Sequence, residues 1–123
     1  MNLTTWGNNA DIKVHILDDG KMIDAGFISV HSNLCSDPYW YMCKKVYGSD
    51  FSDITFNMTI YTETDWKIDI LDEAFCQPYD YQWLLNRQNV PHAAYKVKNN
   101  VDAIMQQLID FGIISGWEVG DYI

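Results

Sequence analysis

Between Pro91 and Gly112, the apolar residues Ala94, Val97, Val101, Ile104, Leu108 and Phe111 recur at gaps of three and four, the spacing that lines up one face of an α-helix. A helix of about twenty residues is roughly 30 Å long, the diameter of a small domain. Such a stripe has to be covered along its whole length by a sheet or by other helices. Asn99 and Asn100 fall inside it, and each disfavours helix by ~0.5 kcal/mol or more. The alternative is a strand over 95–98 followed by a helix that Asn99 caps, with Asp102 at its third position. The apolar phase runs unbroken across both asparagines, so a continuous helix over 91–112 is the reading taken here. Gly112 then stops it, and Ile113 packs back on Leu108 in a Schellman arrangement.

The surface that covers this helix is read from alternating runs. Ile54, Phe56, Met58 and Ile60 alternate with Thr55, Asn57, Thr59 and Tyr61, and Trp66, Ile68 and Ile70 alternate with Lys67 and Asp69. Both apolar sets share a face only if paired positions sum to an even number. A three-residue loop over 63–65 meets that condition and sets Ile60 opposite Ile68 and Met58 opposite Ile70. Another hairpin, the first in chain order, is expected over 12–30, turning at Asp19-Gly20 as a type I′ loop. It sets Ile16, Val14 and Ile12 opposite Ile23, Ala25 and Phe27, with a bulge near Gly26 or burial of both faces where the apolar parity changes. Asp37-Pro38 reads as a helix start running to about Tyr47, although Tyr39-Trp40-Tyr41 is equally compatible with a strand. One turn over 72–75, a short helix over 80–88 and a last short strand over 117–119 complete the expectation. The predicted fold is α+β: two antiparallel hairpins, four to five strands in all, forming a sheet packed by a long C-terminal helix and one or two short ones. Residues 1–123 read as one acidic globular domain, long enough to bury a core without disulfides or a structural metal.

Charge narrows the partner class. Eight Lys and Arg face seventeen Asp and Glu, a net charge of -9, which opposes direct contact with nucleic-acid phosphates or an anionic membrane. Solubility alone accounts for an acidic surface; a cationic partner is the sharper reading. No basic and apolar leader precedes Ala10, and no run approaches the roughly 18 apolar residues of a membrane span, so a cytoplasmic location is expected. Cys35, Cys43 and Cys76 show no paired spacing and are expected to be buried thiols. There is no glycine-rich phosphate loop and no histidine spacing for a metal, so neither a cofactor nor a metal is expected.

His15 and Asp24 fall opposite each other in the first expected hairpin, where they read as a surface charge pair rather than an oriented general base. The stretch that stands out is acidic and aromatic together: Asp72, Glu73, Tyr79, Asp80, Tyr81 and Trp83, with Phe75 among them. Its rings serve either as core joining the second hairpin to the helices or as hot spots ringed by acids that select a basic partner. A third reading is a sugar-stacking cleft. No catalytic motif is present, and the chain is not expected to be an enzyme.

In composition alone, a small acidic domain without a catalytic signature resembles the inhibitors of nucleic-acid-handling proteins. These include phage or mobile-element proteins that block CRISPR or restriction effectors, and immunity proteins against nuclease toxins. The expected function is therefore a protein-binding inhibitor of a basic partner, acting as a nucleic-acid mimic. The alternatives are a small-ligand or carbohydrate-binding domain, which calls for a pocket lined by two or more of Trp66, Tyr79, Tyr81 and Trp83, and a small carboxylate-dependent hydrolase, which calls for titratable groups converging in a cleft.

Overall fold

The helix over the C-terminal stripe is continuous and begins and ends close to its expected limits. The structure is a computed structural model and describes residues 12–31, 37–48 and 52–118. Its elements in chain order are β1 (Lys13–Val14), α1 (Asp19–Asp24), β2 (Ile28–Val30), β3 (Tyr39–Gly48), β4 (Asp53–Thr62), β5 (Asp65–Asp72), β6 (Gln77–Pro78), α2 (Tyr81–Leu85), α3 (His92–Phe111) and β7 (Ile114–Ser115). Strands β2 to β6 form one antiparallel meander in sequence order, and β1 pairs with β7 in a separate two-stranded ladder. The fold is α+β, with the sheet covered by helices on one face.

The stripe explains this arrangement. Ala94, Val97, Val101, Ile104, Met105 and Leu108 of α3 are buried, and they share one core with Met42, Val46, Ile54, Phe56, Met58, Ile60, Trp66, Ile68 and Ile70 of the sheet. Phe111, the last member of the stripe, is 41% exposed because the helix ends there. Gly112 follows with φ 84°. Its N–H donates to the Ile109 carbonyl at 2.9 Å, and the N–H of Ile113 donates to that of Leu108 at 2.9 Å. These two bonds define a Schellman motif, which requires a left-handed residue that only glycine adopts without strain.

The asparagines inside α3 have different roles. Asn100 Nδ2 donates to the Val46 carbonyl at 2.6 Å, and Val46 lies where the β3–β4 register shifts, between Lys45 and Tyr47. A bulge takes a residue out of the ladder, and the helix side chain supplies a partner for that residue's carbonyl. Asn99 faces solvent. The bulge also turns both Val46 and Tyr47 toward the helix layer, where Val46 is buried and Tyr47 packs against the core.

Four expectations are corrected. The first hairpin does not form. Asp18 Oδ1 instead accepts from the Lys21 N–H at 2.9 Å and caps α1, whose Met22 points into the core. An Asp-Asp-Gly run serves an N-cap as well as it serves a turn, and the buried Met22 and Ala25 recur at helical spacing. Ile12 and Val14 are buried as expected, but through pairing with the far end of the chain: Val14 lies opposite Ile114. The stretch after Asp37-Pro38 is strand β3, not helix. Met42 and Val46 face the core while Tyr39, Tyr41 and Cys43 face away, the division that a pleated strand gives and a helix does not. The β4–β5 hairpin has the expected parity with a shifted register. Ile60 faces Trp66 and Met58 faces Ile68 across a two-residue turn at Glu63-Thr64, and an irregularity at Tyr61 absorbs the odd residue. Last, the terminal strand is Ile114–Ser115; Trp117 is buried without belonging to a strand, and Val119 lies outside the described residues.

Two substitutions separate packing from propensity. Leu108→Ala is expected to lower the free energy of unfolding by about 2 to 5 kcal/mol, the range for a buried leucine. Asn100→Ala should cost about 1 kcal/mol, because the loss of the bond to a bulge carbonyl exceeds the gain in helix propensity. Asn99→Ala, with only propensity at stake, should stabilise by a few tenths of a kcal/mol. Urea unfolding of the three variants measures all three signs.

Candidate functional site

The six acidic and aromatic residues singled out in the sequence do not form one patch. Asp72, at the end of β5, pairs with Ile54 and so lies toward the helix-covered side. Its Oδ1 accepts from the Ser52 hydroxyl and from the Ala74 N–H at 3.1 Å, closing the turn that follows. Tyr79 is half-buried on the same side. Burial, then the neighbouring Tyr47 and Asp72, pushes its phenol above the ordinary tyrosine value. Tyr81 is core at 2% exposure. Asp80 caps α2 by accepting from the Trp83 N–H at 3.1 Å, while Trp83 itself is 59% exposed with the Arg87 guanidinium 4.9 Å from its ring. Glu73 goes to the opposite side, over the sheet face that no helix covers among the described residues.

That face brings polar side chains of three adjoining strands together. The strand pairings set Ile28, Val30, Tyr39, Tyr41 and Cys43 beside Thr55, Asn57 and Thr59, and these beside Lys67, Asp69 and Leu71. The side chains of β4 are short and lie between those of β3 and β5. Thr55, Asn57 and Thr59 are therefore only 7–8% exposed despite lying on the uncovered side. Burying them requires partners, and a hydrogen-bonded row supplies these for two of them. The Tyr41 hydroxyl donates to Asn57 Oδ1 at 2.6 Å. Asn57 Nδ2 donates to Thr55 Oγ1 at 2.9 Å, and Thr55 Oγ1 donates to Glu73 Oε1. The row ties a strand-centre tyrosine to the carboxylate in the 73–76 turn.

Electrostatics follow from the same geometry. Burial, then Cys43, Glu73 and Tyr39, pushes the Tyr41 phenol from 10.0 to about 12. Burial raises the Asp69 carboxyl, and Lys67 partly offsets this from 4.0 Å. At the rim of the face, Tyr39 and Tyr61 form a tilted ring pair with centroids 5.2 Å apart, and Tyr61 is 47% exposed. Sequence pattern alone carried half of this site: the polar members of β4 and β5 were visible as alternants. Tyr39 and Tyr41 were missed because a helix reading scattered their rings over several faces.

Other candidates fall differently. Cys43 and Cys76 are exposed rather than buried, Cys43 because it alternates with Met42 on the uncovered side and Cys76 because it sits in a turn at φ 51°; Cys35 lies outside the described residues. His15 does not face Asp24, since the hairpin that paired them is absent; its Nε2 is 3.2 Å from Ser115 Oγ on β7. A cleft of about 440 Å³ lies between β1 and the β4–β5 turn, lined by Val14, His15, Glu63, Thr64 and Trp66 among others. Glu63 there accepts the Ile16 N–H at 2.8 Å, and of the four rings named for a ligand pocket only Trp66 borders it. The raised groups, Tyr41, Asp69 and Tyr79, do not line this cleft. Among the described residues no three His, Cys, Asp or Glu side chains are grouped as metal ligands, and no helix is long and apolar enough to cross a membrane. No family model, curated protein or solved structure matches the chain.

The Tyr41 row makes a pH prediction. A phenol raised by folding favours the neutral form, so the stability it contributes is present below its unfolded value near 10 and is lost as the pH climbs toward about 12. Tyr41→Phe is expected to remove one late-titrating phenol from the ultraviolet titration and to flatten the alkaline loss of stability. At neutral pH it should cost about 1 kcal/mol for the bond to Asn57.

Proposed function

We propose that this protein is an acidic binding module that docks on a cationic protein surface, and that its partner is a basic protein that handles nucleic acid, which it inhibits by occupying the phosphate-binding groove. The observation that carries the reading is the charge of -9 on 123 residues together with large rings left in solvent, Phe75 at 70% exposure and Trp83 at 59%. Asp53, Asp69 and Asp102 engage in ion pairs with Lys45, Lys67 and Lys98. Fourteen of the seventeen acids are aspartates, whose short side chains hold charge close to the fold with less rotamer entropy to lose than glutamate. A surface of this kind steers a cationic partner by long-range attraction and anchors it through aromatic contact. An anti-CRISPR or anti-restriction protein of a phage or mobile element, or a nuclease immunity protein, uses the same physics.

Affinity capture from the native cell with mass spectrometry identifies the partner, and its association rate in a salt series tests the charge. Neutralisation of Asp72, Glu73 and Asp80 to Asn, Gln and Asn keeps every acceptor that closes the turn, holds Thr55 and caps α2, since an asparagine caps as well as an aspartate. The triple variant should keep its circular dichroism spectrum and unfolding midpoint while associating roughly tenfold more slowly at low salt. An association rate that is independent of salt, or a captured partner without a basic surface, refutes the reading.

A further inference from the structure

We infer that the partner is gripped through arginine side chains on the uncovered sheet face, by the Tyr39–Tyr61 ring pair together with the carboxylates of Asp69 and Glu73. This rests on the cationic-partner reading and deepens it by naming the surface and the type of cation. Among the described residues no helix covers the face, yet it is not a neutral solvated surface. Lys45, Lys67, Asp53, Asp65, Asp69 and Glu73 lie on its strands or border it, an excess of acid in which Lys45 is 3.3 Å from Asp53 and Lys67 reaches Asp69 only at 4.0 Å.

Guanidinium chemistry matches an acidic face edged by rings. A planar, weakly hydrated cation stacks on aromatic faces and forms paired hydrogen bonds to a carboxylate, whereas an ammonium is a strongly hydrated point charge. The chain already uses that contact internally, with Arg87 over Trp83 at 4.9 Å. On the uncovered face, the exposed Tyr61 and the half-buried Tyr39 stand at the rim near the β4–β5 turn. Asp69 lies at mid-strand opposite Asn57, and Glu73 is held in place at the far end by Thr55, itself fixed by Asn57 and Tyr41. Rings at one end and carboxylates toward the other suit an extended cationic segment laid along the strands. The hydrogen-bonded row gives Glu73 a fixed position before the partner arrives, which lowers the ordering cost of binding.

The test titrates the full chain with an oligoarginine and an oligolysine peptide of equal length, followed by amide chemical shifts at low salt. Expected are tighter binding of oligoarginine by about fivefold, the worth of one exposed ring contact, and shifts centred on Tyr41, Asn57, Asp69 and Glu73. Tyr61→Leu, which keeps the apolar bulk and removes the ring, should lower oligoarginine affinity about fivefold and leave oligolysine unchanged. Asp69→Asn should weaken both, and Tyr95→Leu on the helix side should alter neither. Equal affinities for the two peptides, or shifts centred on α1 or α2, overturn the arginine grip while leaving a cationic partner standing. No binding of either peptide at low salt overturns both.

Discussion

Helix α3 can bury its stripe on only one side of the meander, and that one-sidedness governs the rest of the molecule. The amphipathic helix and the apolar face of the sheet share one core. The other face carries tyrosines, threonines, an asparagine and a few charges, with Ile28, Val30 and Leu71 among them. The covering helix thereby decides which residues of the sheet lie on the outer face.

The two sides are coupled through β3. Its bulge at Val46 lets consecutive residues face the core, and Asn100 reaches across from α3 to the carbonyl that the bulge takes out of the ladder. Without the irregularity Val46 and Tyr47 would lie on opposite faces, because side chains alternate along a strand. The position of β3 also sets Tyr41 beside Asn57, and the polar row to Glu73 begins there. A helix residue that looks unfavourable by propensity therefore helps to hold the strand that builds the outer face.

Acid placement shows how a charge count can mislead about a site. Asp18 and Asp80 are caps, Asp72 closes a turn, and Glu73 terminates a hydrogen-bonded row. These roles fix carboxylates in defined positions. Local structure and the acidic character of the chain are thus made from the same side chains.

The sequence by itself determined the α3 helix, its glycine stop, the β4–β5 hairpin with its parity, a short helix near Asp80 and the α+β class. All of these rest on local spacing or capping chemistry within a few residues. Tertiary structure decided the elements whose signals were ambiguous locally. Asp18-Asp19-Gly20 suits a turn or an N-cap, and the choice fell to burial of Met22 and to the pairing of β1 with β7, about a hundred residues away. Tyr39-Trp40-Tyr41 suits helix or strand, and β4 settled it by offering an edge to pair with. The candidate site was half legible for the same reason. Thr55, Asn57, Lys67 and Asp69 announce an outward face through alternation, but which acids and rings join them depends on strand order and on a bulge. Asp72 and Glu73, adjacent in the chain, part to opposite faces because consecutive residues near the end of a strand point in opposite directions, and only the placement of the helix layer says which of those directions is inside.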